Sequence, residues 1–392
     1  MNIRSITGFV SPSIDWRALR DLFRAARVAF AAVGLPVQTT RLATQVEMRD
    51  LVSLARQLQA DAKTHGIDYV SLGAFPGDHP LTDAIPAALT ATETIFASAH
   101  IASHDEISFS SMINVARVMH QLAHTTADGF GNLRFAALAN CPPHSPFFPA
   151  AYPDGGAPAF AIATEAAPLA VSAFTDAQNL DDARARLVEA IERNAATIQP
   201  IADTLAAQFH FRFAGIDFSL APHPDESKSI GAAIEKLIGA SFGEHGTLFA
   251  AAFITDCINR AKFSRAGFSG LFLPVLEDSR LAANSIRYTL DSLLLYSTVC
   301  GTGLDTIPLP GDTSIDVLAA ILLDLATLAV KLNKPLTARL MPIPGLRAGD
   351  LTQFNFEYFS NARVMNANAS ALKIFGANNS IRFQPNHRTE AT

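Results

Sequence analysis

The feature that most limits how this chain can fold is an alternation that runs along nearly all of its 392 residues. Short runs rich in β-branched and aromatic residues alternate with longer segments whose apolar residues recur three or four positions apart. The first pattern reads as buried strand and the second as one face of a helix. Strand candidates are IRSITGFV (from Ile3), QTTRLAT (from Gln38), DYVSLGAF (from Asp68), TIFASAHI (from Thr94) and LRFAALAN (from Leu133). The series continues with PAFAIATE (from Pro158), IDFSLAP (from Ile216), GLFLPVLE (from Gly270), YSTVC (from Tyr296) and LTARLMPI (from Leu336). Helical spacing marks 16–33, 49–65, 107–124, 180–208 and 315–332. Strands separated by helices need crossovers, which implies an α/β fold with parallel sheet covered by helices. About ten such strands is more than a (β/α)8 barrel needs.

Composition excludes several function classes. Hydrophobic residues make up 49% and charged residues 17%, which rules out a largely disordered chain and implies a thick, dry interior. A net charge of −6 provides no electrostatic reason to bind nucleic acid or anionic lipid. Cys141, Cys257 and Cys300 are too few and too scattered for a disulfide framework, and MNIRSITGFV lacks the apolar core of a signal peptide. The apolar stretch 315–332 is broken by Asp316, Asp324 and Lys331, so it reads as a buried helix rather than a membrane span. The expectation is a cytoplasmic protein whose partner is a small-molecule ligand, with no nucleic acid and no membrane, and with a homo-oligomer left open.

A weak internal echo links Gly66-Ile67-Asp68-Tyr69-Val70-Ser71-Leu72 to Gly215-Ile216-Asp217-Phe218-Ser219-Leu220. Each copy is read with an acid at a strand start and a hydroxyl near its end. It suggests a single domain over 1–374 with pseudo-repeat halves 1–210 and 211–374. Chance likeness of two buried strands is the other reading. The 375–392 tail is polar and unpatterned.

Several motifs carry chemistry. Gly239-Ala240-Ser241-Phe242-Gly243 matches a nucleophile elbow, but it joins two helical segments and reads as a helix C-cap. Cys141-Pro142-Pro143-His144 has two potential metal ligands with no second pair, so a rigid loop is the better account. His104-Asp105-Glu106 precedes a helix and reads either as N-terminal capping or as a catalytic histidine. Glu277 and Asp278 end an apolar strand, where acids are costly unless paired; Asp278 also suits a helix cap. Residues 299–312, VCGTGLDTIPLPGD, read as a strand delivering Cys300 to a shaped loop, with a helix N-terminus after Asp312 able to hold an anion. Arg339 inside LTARLMPI needs an anion: either a core acid such as Asp305 or a substrate.

Five blocks resemble the family called domain of unknown function number 711, also described as pyruvate formate-lyase-like. They are FAGIDFSLAP (213–222), GFSGLFLPVLED (267–278), VCGTGLDTIPLPGD (299–312), LTARLMPIPGLRAGDLTQF (336–354) and RFAALANCPPHSPFFPAAY (134–152). The resemblance covers roughly 3–356. It implies a ten-stranded α/β barrel similar to that of pyruvate formate-lyase and anaerobic ribonucleotide reductase, two parallel five-stranded halves set antiparallel. It carries no assigned activity. Glycyl-radical enzymes need a glycine near the C-terminus, and Arg363-Val364-Met365-Asn366 has asparagine there, which argues against radical chemistry.

The expected function is therefore an enzyme acting on a small polar or anionic metabolite inside the barrel, with a non-catalytic metabolite-binding or regulatory protein as the alternative. Cys300, Asp305 and Glu277 are the expected catalytic residues. Asp217, Ser219, Asp278, Thr302, Thr306, Asp312, Arg339, His104 and Arg134 are the expected substrate-binding residues. No nucleotide-cofactor motif is present; a divalent metal such as Mg²⁺ bridging Asp217, Glu277 and Asp305 is a variant.

Overall fold

A computed structural model describes residues 1–10, 13–47, 50–369 and 379–384. Among these residues an 11-stranded sheet is covered by helices, a mixed α/β fold. Its strands are β1 (Asn2–Phe9), β2 (Val37–Ala43), β3 (Tyr69–Pro76), β4 (Ile95–Ser103), β5 (Glu106–Ser108) and β6 (Phe135–Ala139). They are followed by β7 (Ala159–Glu165), β8 (Arg212–Asp217), β9 (Gly303–Pro310), β10 (Leu336–Ile343) and β11 (Ser380–Arg382). The hydrogen-bonded path is β8-β7-β1-β2-β3-β4-β6-β10-β9, with β5 on β4 and β11 on β5.

Direction divides this path. β1, β2, β3, β4 and β6 are mutually parallel. β7 meets β1 antiparallel and β10 meets β6 antiparallel, so the pairs β7–β8 and β9–β10 run the opposite way. The change of direction falls between β6 and β7, before residue 159. The internal echo changes character accordingly: Asp68 precedes β3, whereas Asp217 ends β8.

The helices are α1 (Trp16–Ala32), α2 (Leu51–His65), α3 (Ile85–Thr90), α4 (Phe109–Thr125), α5 (Ala167–Thr175) and α6 (Leu180–Phe209). The second series is α7 (Ile230–Ile238), α8 (Thr247–Arg260), α9 (Ser279–Ala283), α10 (Leu290–Ser297) and α11 (Ile315–Lys331). α1 starts where Asp15 accepts the N–H groups of Arg17 and Ala18, and buries Leu19, Leu22, Phe23, Ala26 and Phe30 along one face. α7 stops at Gly239, in the left-handed conformation at φ 70°, so the Ser241 motif is a helix terminus. No helix among the described residues is long and apolar enough to cross a membrane.

Three segments depart from the sequence reading. YSTVC is no strand: Thr289 and Ser292 form a capping box, and α10 carries the chain through Ser297. Residues 303–310 are strand β9 rather than a loop. Its prolines are tolerated because Pro308 and Pro310 lie on the last strand of the path, with β10 on one side only.

GLFLPVLE is an irregular extended stretch. Gly267 and Ser269 take positive φ, and Pro274 has no N–H to give to a ladder. The stretch still touches both ends of the path. Ala266 N–H donates to Ile216 O at 3.0 Å, Val275 N–H donates to Asp305 O at 3.0 Å, and isolated bridges join Ile216 to Arg265 and Pro274 to Asp305.

Of the 375–392 tail, 379–384 contains β11, whose Ile381 pairs with Ile107 of β5, so this part is structured. The rest, 375–378 and 385–392, lies outside the described residues.

The loop after β6 packs on small residues of the sheet. Phe148 and Ala151 pack with Ala43, Ala159 and Ala161, while Cys141 and Ala150 pack with Ala74, Ala136 and Leu138. Ser71 Oγ donates to Ala151 O at 2.8 Å. Burial pushes the Cys141 thiol up to about 12, and Sγ donates to Leu336 O, which makes it a packed thiol.

Candidate functional site

A cavity of about 330 Å³ opens at the N-terminal ends of β1 to β4 and the C-terminal ends of β7 and β8. Because the two sets of strands run oppositely, one end of the sheet collects N-termini from the first set and C-termini from the second. A rule that looks only to strand C-termini sees half of this wall.

A chain of charges runs across it. Arg339, in the middle of β10, donates from Nε to Asp305 Oδ1 at 2.5 Å and from Nη2 to Glu277 Oε1 at 2.7 Å. Arg4 on β1 donates to Glu277 Oε2 at 2.8 Å and to Pro222 O at 3.0 Å. Burial pushes Glu277 up, but Arg339 and Arg4 outweigh it and hold the carboxyl below its ordinary value. Asp305 has Arg339 alone as an ion-pair partner; burial, with the Glu277 charge adding, leaves it above the ordinary carboxylate range. Arg339 is raised, its two carboxylates outweighing burial. The core-acid reading of Arg339 is the one seen.

Asp217 reaches the cavity but is occupied. It accepts the N–H groups of Ser219, Phe268 and Ser269 and the Ser219 hydroxyl, stapling the 267–270 turn to β8. Burial raises its pKa against those donors. Gly267 is required at this turn, since φ is +60° and a Cβ would sit 2.1 Å from Asp217 Oδ2. Arg134 also lines the cavity, with its guanidinium donating to Leu89 O, Thr92 O and Ile95 O; burial lowers it to about 10.

Arg41 on β2 differs from all of these. Its Nε donates to Thr39 Oγ1 at 2.9 Å, and its guanidinium lies 5.7 Å from the Tyr69 ring centroid and 5.2 Å from that of Phe148. No carboxylate among the described residues forms an ion pair with it. Burial, with Arg4 nearby, outweighs the raising influence of Tyr69, Glu277 and Asp68 and lowers its pKa to about 10, so it remains a cation at neutral pH. Phe96, Phe147, Phe148 and Phe272 contribute much of the remaining wall, with Phe356 and Tyr358 from the 351–365 segment.

The cavity thus collects Asp305, Glu277, Asp217, Ser219, Arg339 and Arg134 from the expected set. The others lie elsewhere. Cys300 is 2% exposed in the turn before β9, not on the cavity wall; Lys334 Nζ donates to its carbonyl oxygen at 2.6 Å. Asp278 caps two helices, accepting from Ser229 Oγ, Ile230 N, Arg280 N and Leu281 N. Thr302 and Thr306 are buried off the cavity, and the Thr306 hydroxyl accepts the Leu276 N–H. Asp312 is exposed before α11, whose N-cap is Ser314. His104 stands in the β4–β5 turn at φ 52° with an 86% exposed side chain, so it neither caps a helix nor meets the cavity. No group of three or more His, Cys, Asp or Glu among the described residues could hold a metal ion, and the carboxylates once grouped for Mg²⁺ are each taken by arginine or N–H donors.

Arg4, Arg41, Tyr69 and Tyr358 are absent from the expected set. The signal for two of them was present: IRSITGFV and QTTRLAT each carry one arginine inside a strand, as LTARLMPI does.

Comparison with known proteins finds relatives over most of the chain. The chain is 33% identical over 361 residues to a UPF0210 protein of Pyrobaculum arsenaticum, covering 84% of this chain and 79% of that one. UPF0210 proteins of Methanococcoides burtonii and Pelobacter propionicus are each 29% identical, over 363 and 367 residues, covering 86% of this chain and 80% and 81% of theirs. A family profile described as "Uncharacterised ACR (DUF711)" matches residues 2–361, and the chain belongs to that family.

Proposed function

We propose that the protein is an enzyme acting on a small anionic metabolite held in the cavity, by acid–base chemistry and without a glycyl radical. The observation that carries this reading is Arg41, a cation on the cavity wall with no carboxylate partner among the described residues. An unmatched guanidinium in an aromatic enclosure is an anion site in waiting. Asp305 is the group fitted to exchange a proton with the bound anion, because burial raises it toward neutrality and it shares its one guanidinium with Glu277. Glu277, held as a carboxylate by two arginines, positions Arg339 and Arg4.

The 264–275 stretch bonded to β8 and β9 supports the view that ten strand segments close into a barrel around the 141–152 loop. Three free cysteines fit a reducing, cytoplasmic setting.

A second reading, a binding protein without turnover, is favoured by the locking of Glu277 between Arg4 and Arg339. Incubating the protein with the anionic fraction of a metabolite extract, followed by mass spectrometry, separates the two. Depletion of one metabolite by the wild type, with binding but no depletion by Asp305→Asn, supports the enzyme. Binding without depletion by the wild type supports the second reading and removes the first.

A further inference from the structure

We propose that the occupant is a monocarboxylate with a planar aromatic body, its carboxylate on Nη1 and Nη2 of Arg41 and its ring among Phe96, Phe147, Phe148 and Tyr358. This names the ligand class of the site above and rests on that reading.

Charge sets the head group. Arg4 and Arg339 are matched by Glu277 and Asp305, two cations against two anions in one contiguous chain. Asp217 is met by three N–H groups and a hydroxyl, and Arg134 by three carbonyl oxygens. Arg41 alone among the cavity arginines has neither a carboxylate nor a backbone carbonyl on its guanidinium. Over the whole lining the four arginines face Glu93, Asp217, Glu277 and Asp305, so the wall is formally balanced, and what sets Arg41 apart is a guanidinium with no carboxylate in ion-pair contact, a place for one carboxylate group. A phosphate dianion would bring a second charge with no partner into a mostly aromatic space, and a neutral ligand would leave the guanidinium unmatched.

Geometry sets the denticity. With Nε given to Thr39 Oγ1, the edge of the guanidinium formed by Nη1 and Nη2 remains for a two-point carboxylate contact. Tyr69 and Phe148 lie against the guanidinium, limiting its rotation so that the edge is pre-set.

The wall and volume set the body. Phe96 meets Phe148 edge-on at 5.3 Å and Phe147, which also carries the Arg339 guanidinium 5.2 Å from its centroid, meets Phe272 edge-on at 5.0 Å, so the wall a ligand touches is largely aromatic. A cavity of about 330 Å³ has room for a small ligand such as 3-phenylpropionate.

The test is calorimetric titration of the full chain with 3-phenylpropionate, 3-phenylpropanol, propionate and inorganic phosphate, on wild type and Arg41→Met. The expected result is that 3-phenylpropionate binds about tenfold or more tightly than each of the other three, and that R41M loses about tenfold or more. Thermal melts of the ligand-free proteins are expected to place R41M at or above wild type, because the half-buried Arg41 forms no ion pair among the described residues whose loss would cost stability.

Equal binding of the alcohol overturns the anionic head group. Phosphate or propionate matching 3-phenylpropionate overturns the aromatic monocarboxylate but leaves the anion site standing. If none of the anions binds, the site reading fails with it. A large drop in the ligand-free melting temperature of R41M would make Arg41 a structural cation and would also overturn the proposal.

Discussion

On the wall contributed by β10 and the 274–277 turn, Arg339 meets two carboxylates, and Arg4 shares one of them. On the wall contributed by β2, Arg41 meets a hydroxyl and two aromatic rings. Both arginines sit inside strands, and both line the same cavity. The difference lies in what meets the charge, fully buried at Arg339 and half-buried at Arg41. Arg339 is satisfied by the protein itself and ties β10, β9 and the 274–277 turn together. Arg41 has no ion-pair partner among the described residues, and the proposed ligand is what would meet its charge.

The largest effect that could break this comparison comes from Arg339→Met. Removing the shared cation leaves Glu277 with Arg4 and strands Asp305, and breaking a buried pair this way typically costs about 3–5 kcal/mol. Urea unfolding should show that loss in R339M, whereas R41M should show none. Equal losses would erase the distinction between the two walls.

Acid sharpens it. The folded pKa of Glu277 is depressed, so its contribution to stability is present above its unfolded value and is lost as pH falls through the folded one. Asp305, raised in the folded state, acts with the opposite sign: it opposes folding once ionised, and protonating it relieves that. Glu277→Gln should therefore be less stable than wild type near neutrality and lose less on acidification. A parallel pair of stability–pH curves would show that the Arg4–Glu277–Arg339 chain does not hold the fold.

How much of this was legible in the sequence depends on what each residue's neighbours reveal. Eight of the ten strand candidates overlap strands of the sheet, LTARLMPI matching β10 residue for residue, whereas GLFLPVLE is irregular and YSTVC is no strand. YSTVC misled because its residue types favour strand while a cap seven residues upstream commits the chain to helix. Residues 303–310 misled in the opposite sense, since glycine and proline read as loop where an end strand accepts them.

For the site, Arg339 stood out as one charge in an apolar run. Arg4 and Arg41 are flanked by serine and threonine, which hid the same signal. Tyr358 comes from a segment with no strand or helix period, so only the folded chain could bring it in. The small residues Ala43, Ala74, Ala136 and Ala159 were readable as strand but not as the bed of the 141–152 loop, because that needs the strand order.

The next effect concerns the edges of the path that carry Asp305 and Asp217. Gly270 and Gly301 approach so closely that a Cβ on Gly270 would lie 2.5 Å from the Gly301 Cα. The Gly301 Cα is backbone and a Cβ is fixed rigidly to its own Cα, so neither can swing away. Gly270→Ala should lose about 1–3 kcal/mol as overpacking, and it should weaken 3-phenylpropionate binding by shifting the 267–277 stretch against β9. A stable G270A with full affinity would mean that this contact does not set the cavity wall.

The smallest effect is expected at Cys300, and it tests the comparison from outside both walls. The thiol is buried in the turn between α10 and β9, where Lys334 holds the carbonyl oxygens of Ser297 and Cys300 at 2.8 and 2.6 Å. Those bonds go to backbone and survive a side-chain change. Cys300→Ala removes one sulfur from a packed site, a loss of about 1 kcal/mol at most by analogy with small core truncations. Ligand affinity should be unchanged, because the residue is absent from the cavity wall. Turnover of any metabolite found by the depletion experiment should be unchanged as well. If C300A retained its melting temperature and lost turnover, the reacting group would lie outside the arginine-lined chamber, and the division between a satisfied wall and a waiting one would no longer describe the chemistry.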